Sequence, residues 1–126
     1  PQVIPFLKNN FSAVSLANNH SVDFGLRTFE RMLDAFELQG VRYFGGGKNI
    51  REAHEPVIFS IKGKRIAVLG YDIFMPRSFE ALHDQAGVAW GERDYIAQDI
   101  ARARLHHQVG LNRQGIPTDM GPLPKP

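Results

Sequence analysis

The chain has 126 residues, 43% of them hydrophobic and 22% charged, which suits one packed domain and is too short for two comfortable ones. Fifteen basic residues against 13 acidic ones leave a net charge of +2, with no basic run long enough to follow a phosphate backbone, so nucleic acid is excluded as a partner. Cysteine is absent, which excludes disulfides, thiolate metal sites and cysteine nucleophiles, and no stretch of about 18 apolar residues is present to span a membrane.

Pro1-Gln2-Val3-Ile4-Pro5 carries neither an initiator Met nor a signal-peptide pattern, so the chain reads as beginning in mid-protein. Phe11 to Leu16 alternates apolar and small polar residues and predicts a short strand that ends in the polar loop Ala17-Asn18-Asn19-His20. Asp23 is placed to cap a helix from about Phe24 to Gln39. Leu26, Phe29, Leu33 and Phe36 give that helix one apolar face, and Gly40 stops it. Val41 to Phe44 reads as a second strand, closed by Gly45-Gly46-Gly47, and a helical turn over Asn49 to Ala53 follows. Pro56–Ile61 and Arg65–Gly70 flank Lys62-Gly63-Lys64, where Gly63 can supply the positive φ of a hairpin turn.

Phe74 to Trp90 shows no regular period. Tyr95, Ile96, Ile100 and Ala103 predict a helix from about Glu92 to Leu105, with its alternating charges on a solvated face. From His106 to Pro126 prolines and glycines replace large apolar residues, and an irregular tail is expected. The class is α/β, with residues 1–105 as a partial domain and residues 106–126 as the tail. A truncation or an altered reading frame near residue 105 would account for the change in character.

The candidate site is the strand-to-loop junction. Ligands in α/β sheets gather where strands end, and Asn18-Asn19-His20 stands at such an end. An asparagine offers a carbonyl oxygen to a hard cation, and a histidine offers a titratable proton or a further ligand. The competing reading is a polar loop that merely caps the next helix. Elsewhere the plainer readings prevail. The glycine run reads as a flexible connection, since no P-loop pattern follows it, and His54 and His83 read as solvated. Trp90 and the phenylalanines read as core, while Tyr71-Asp72 at the hairpin's end could face a pocket.

Several segments in order carry a family resemblance. Leu16-Ala17-Asn18-Asn19-His20-Ser21-Val22-Asp23-Phe24-Gly25 comes first, then Phe44-Gly45-Gly46-Gly47-Lys48-Asn49 with Glu52-Ala53. The Pro56 to Tyr71 hairpin follows, and then Gly87-Val88-Ala89 ahead of Asp99-Ile100 and Arg102 to Arg104. Together they resemble the poly-γ-glutamate capsule synthesis protein family (CapA-type), which has the calcineurin-like metallophosphoesterase fold. The resemblance implies a partial metallophosphoesterase-like α/β sandwich. It implies Asn19 as a metal ligand and His20 as a substrate oxyanion contact or general acid, with Asn18 and Asp23 in support. It further implies two divalent metal ions (Mn, Mg, Fe or Zn) in the parent protein, not fully bound by this chain, and a capsule polymer or phosphoester as substrate. A cell-surface or membrane-associated setting for the parent also follows from the family.

Ser21 stands where the superfamily usually has an acidic residue. His106 and His107 are not promoted to the family's later histidine ligands, because the apolar strand that would position them is lacking. Two functions stay open: a divalent-metal hydrolase, and a non-catalytic polymer-handling or structural piece. Exposed sheet edges at Phe11–Leu16 or Arg65–Gly70 are expected to favour self-association.

Overall fold

The computed structural model describes residues 2–105 together with the backbone of Gly110–Leu111 and Pro117–Thr118. Helix α1 (Val3–Asn10) opens the chain. Pro5 falls in its first turn, where a missing N–H costs nothing, and the Phe11 N–H closes its end on the Leu7 carbonyl at 2.9 Å. This helix was not among the predicted elements. It is one short amphipathic stretch held by Ile4 and Leu7 against the main core, too short for its period to stand out in the sequence.

Strand β1 (Val14–Ser15), helix α2 (Leu26–Gln39) and strand β2 (Tyr43–Phe44) make a strand–helix–strand unit. The two strands pair in parallel, Val14 with Tyr43 and Ser15 with Phe44. They are shorter than the sequence pattern predicts, because Ser12 and Ala13 find no ladder partner there. Phe29, Leu33 and Phe36 bury the predicted face of α2 against Leu16, Val22, Val41 and Tyr43. Each such side chain contributes roughly 1.5–3 kcal/mol relative to exposure. Gly40 ends α2 in the left-handed conformation, as expected.

The glycine run is not a flexible connection. Gly45–Gly47 is fully buried, and β3 (Gly46–Gly47) pairs antiparallel with β6 (Gly87–Val88), inside the stretch that showed no period in the sequence. A Cβ on Gly45 would lie 2.7 Å from the Ala17 Cβ, so only glycine lets the end of β2 meet the end of β1. Helix α3 (Ile50–Ala53) follows, its N-terminus capped by the Asn49 side chain on the Glu52 N–H at 3.0 Å.

The hairpin is as predicted: β4 (Val57–Ile61) and β5 (Lys64–Val68) pair antiparallel through five rungs. Lys62 and Gly63 both adopt positive φ, 50° and 78°, which suits a two-residue turn matched to strand twist. A 3₁₀ turn (Arg77–Phe79) then carries Arg77, whose guanidinium holds Glu80 and Glu92 and lies over the Trp90 ring. Helix α4 (Arg93–Leu105) completes the body. Of the expected irregular tail, the described residues show strands β7 (Gly110–Leu111) and β8 (Pro117–Thr118) pairing antiparallel, and the remainder lies outside the described residues. The whole is a mixed α/β arrangement, and no helix among the described residues is long and apolar enough to cross a membrane.

Candidate functional site

The loop between β1 and α2 is built from local polar contacts. Leu16 is tied to β2 by its N–H on the Phe44 carbonyl at 2.8 Å, and Val22 is buried beneath the loop as an apolar anchor. The Asn18 side-chain oxygen accepts the His20 N–H at 2.9 Å, closing an asparagine turn. Ser21 donates its hydroxyl to the Leu16 carbonyl at 2.6 Å, which folds the loop back onto the strand it left. Asn19, half-buried, lies between these two contacts in the chain.

Asp23 does not cap α2. The cap residue is Gly25, with φ of 92° and no side-chain cap, so the helix starts later than the sequence placed it. The Asp23 carboxylate instead meets His20 Nδ1 at 2.9 Å. That contact engages one ring nitrogen and leaves Nε2 on a ring that is 74% exposed. A carboxylate on Nδ1 selects the tautomer and rotamer of an imidazole. Asn18, Asn19, His20 and Asp23 therefore share one loop, with Asn18 and Asp23 shaping it and His20 presented to solvent.

Among the described residues no group of three or more His, Asp or Glu side chains is gathered that could hold a metal ion. Asn19 and His20 supply one carbonyl oxygen and one ring nitrogen, too few donors to close a coordination sphere. The described residues thus do not by themselves fit a dinuclear metal group.

A second polar cluster lies elsewhere, and the sequence reading missed it. His54, read as solvated, is only 5% exposed, and its Nδ1 meets the Asp99 carboxylate at 2.5 Å. Tyr71 donates its hydroxyl to the same oxygen at 2.7 Å, and Arg102 donates to the other at 2.5 Å. Burial, with the Asp99 hydrogen bond and charge behind it, pushes the Tyr71 phenol well above its ordinary range, and Arg102 pulls weakly the other way. The His54 ring also packs edge-on against Tyr95, 5.3 Å between centroids. Part of the supposedly solvated face of α4 is therefore its buried attachment to α3 and to the end of β5. The Asp99–Arg102 spacing of three on a helix was the one available signal. Asp72, next to Tyr71, is buried too, and one of its oxygens accepts the Phe74 N–H at 3.0 Å.

A family model described as bacterial capsule synthesis protein PGA_cap matches residues 1–111. The chain belongs to the poly-γ-glutamate capsule synthesis family. It is 30% identical over 95 residues to the capsule biosynthesis protein CapA of Bacillus anthracis, covering 75% of this chain and 23% of that protein. It is 26% identical over 101 residues to the PGA biosynthesis protein CapA of Bacillus subtilis (strain 168), covering 79% of this chain and 27% of that protein. The chain thus spans about a quarter of the length of the curated relatives it matches. For this capsule-family chain, the matched span takes in the β1–α2 loop and the buried His54–Asp99 cluster alike.

Proposed function

We propose that this chain is part of a poly-γ-glutamate capsule biosynthesis protein and that its β1–α2 loop lends Asn19 and His20 to a divalent-metal hydrolytic site of the phosphoesterase type. The observation that carries the reading is the 2.9 Å contact of Asp23 with His20 Nδ1, which turns an exposed imidazole into an oriented one. In this reading Asn19 gives its carbonyl oxygen to a metal. His20 Nε2 contacts a substrate oxyanion or hands a proton to the leaving group. Divalent cations (two of Mn, Mg, Fe or Zn), if held there, would supply Lewis-acid chemistry, with Asn19 as one of the residues that would hold them. Their other ligands would come from residues beyond those described here. The chain's own contribution is positional: Asn18 sets the turn, Ser21 pins it to β1, and Asp23 fixes the ring. The substrate is a capsule polymer or a phosphoester, handled at the cell surface or membrane.

The test uses a protein of the relatives' length that carries this segment. His20→Ala should lower turnover by about a hundredfold or more while metal content, measured by elemental analysis, is retained. Asn19→Ala should lower the metal content itself. Equal loss of metal and turnover in His20→Ala would make His20 a ligand instead, and unchanged values in both variants would sink the reading.

A further inference from the structure

Tyr71 sits between two residues that both lead to the root of the β1–α2 loop. On one side, Gly70 packs on the strand ends themselves. A Cβ on Gly70 would lie 3.0 Å from the Phe44 ring and 3.2 Å from the Ser15 Oγ, and that hydroxyl accepts the Ala17 N–H at 3.3 Å. The Gly70 carbonyl oxygen also lies 3.2 Å from where a Cβ on Gly45 would stand, against the residue that Ala17 already touches. On the other side, Asp72 donates its N–H to the Ala89 carbonyl at 2.9 Å, and Ala89 donates its own to the Gly45 carbonyl at 2.9 Å. Both routes reach Ser15 or Gly45, and each of these touches Ala17, the residue before Asn18. They run largely through glycines and backbone groups, which have no side-chain torsion to absorb a displacement, and close-packed interiors pass displacement on.

The far end of Tyr71 is held by α4. Its hydroxyl donates to the Asp99 carboxylate at 2.7 Å, and that carboxylate is itself fixed by His54 at 2.5 Å and Arg102 at 2.5 Å. We infer that Tyr71 is a positioning residue for His20: its bond to Asp99 lets α4 set where the β1–α2 loop stands at the strand ends. The inference rests on the reading of His20 as a substrate contact, and it gives the buried cluster a task beyond holding α4 down. Two contacts then place the imidazole. Asp23 orients the ring within the loop, and Tyr71 fixes where the root of the loop lies. The second matters for chemistry, since a misplacement of about 1 Å costs on the order of a hundredfold in rate.

The experiment has an NMR arm on the full chain and a kinetic arm on a protein of the relatives' length that carries this segment. Tyr71→Phe keeps the ring and removes only the hydroxyl. In that variant the amide signals of residues 17–23 and the His20 ring ¹⁵N signals should shift, and by more than in Ala101→Gly. The glycine variant loosens α4 at an exposed position through helix propensity alone and leaves the hydroxyl in place. If Tyr71→Phe does not fold, 3-fluorotyrosine at position 71, which alters the strength of that one bond, should move the same signals. In the longer protein Tyr71→Phe should lower kcat about tenfold or more, with KM and metal content little changed. Added to His20→Ala it should lower kcat no further, because a residue that acts through His20 has nothing left to place. Loop signals that stay put, shifts no larger than in Ala101→Gly, or losses that multiply in the double variant would each overturn the inference while leaving the proposed role of His20 standing. Full turnover in His20→Ala would instead sink the catalytic reading, and the loop shifts alone would then decide whether Tyr71 places the loop.

Discussion

A carboxylate that reaches an imidazole three residues earlier on an exposed loop gains little stability, because solvent screens the pair. What it changes is the ring's orientation. Asp23→Ala should therefore leave the unfolding midpoint nearly unchanged while altering the His20 ring ¹⁵N shifts in NMR; unchanged shifts would show that the contact does not orient the ring. Asp99 is the opposite case, a carboxylate 2% exposed that receives three side chains. Asp99→Ala should cost about 3–5 kcal/mol in urea unfolding, since it leaves Arg102 without its buried counter-charge. Tyr71 adds a pH dependence. Its phenol is raised above the ordinary value of 10.0, so the folded state favours the protonated form. Stability should then be complete below about pH 10 and decline as pH rises above it, a decline that Tyr71→Phe removes. The Asn18–His20 loop was legible in the sequence because its polar residues interrupt an apolar pattern. The His54–Asp99 contact was not, because its partners lie 45 residues apart and the Asp99–Arg102 spacing says nothing of His54.

At the scale of elements, α2 was readable because its buried residues recur at helical spacing, and the hairpin because Gly63 lies between two apolar runs. The start of α2 was misplaced. Asp23 looks like a cap in sequence, yet its side chain turns back to His20 and leaves Gly25 to begin the helix. The buried role of the glycine run could not be read either, because close packing depends on which residue lies opposite. Two substitutions weigh these elements. Leu33→Ala should cost about 2–5 kcal/mol by emptying the centre of the core. Gly45→Ala should cost at least about 1–3 kcal/mol, since the residue has φ of 78° and its new methyl would meet Ala17. Denaturant melts of both variants would check the values; a Gly45→Ala chain as stable as wild type would mean that β1 and β2 do not meet as described.

At the scale of the molecule, the apolar interior of the described residues is divided into three clusters, of which the one around α2 is the largest. The family and the α/β class were legible from ordered motifs spread along the chain. The division of the interior was not, because it depends on contacts between distant segments. Metal binding belongs at this scale. With one oxygen and one nitrogen on offer, the chain should bind Mn²⁺ or Mg²⁺ only weakly. Tight stoichiometric binding in calorimetry, abolished by Asn19→Ala, would contradict that expectation.

The buried Asp99 cluster also has a bearing on the order of assembly. His54 ends α3, Tyr71 follows β5, and Asp99 and Arg102 come from α4. The four can close on one another only after the hairpin between them has formed, because the hairpin delivers Tyr71. The parallel pairing of β1 with β2 needs no residue of the hairpin. Helix α4 is therefore expected to dock late, and Asp99→Ala should act chiefly on the unfolding rate in stopped-flow; an equal effect on the folding rate would contradict that order.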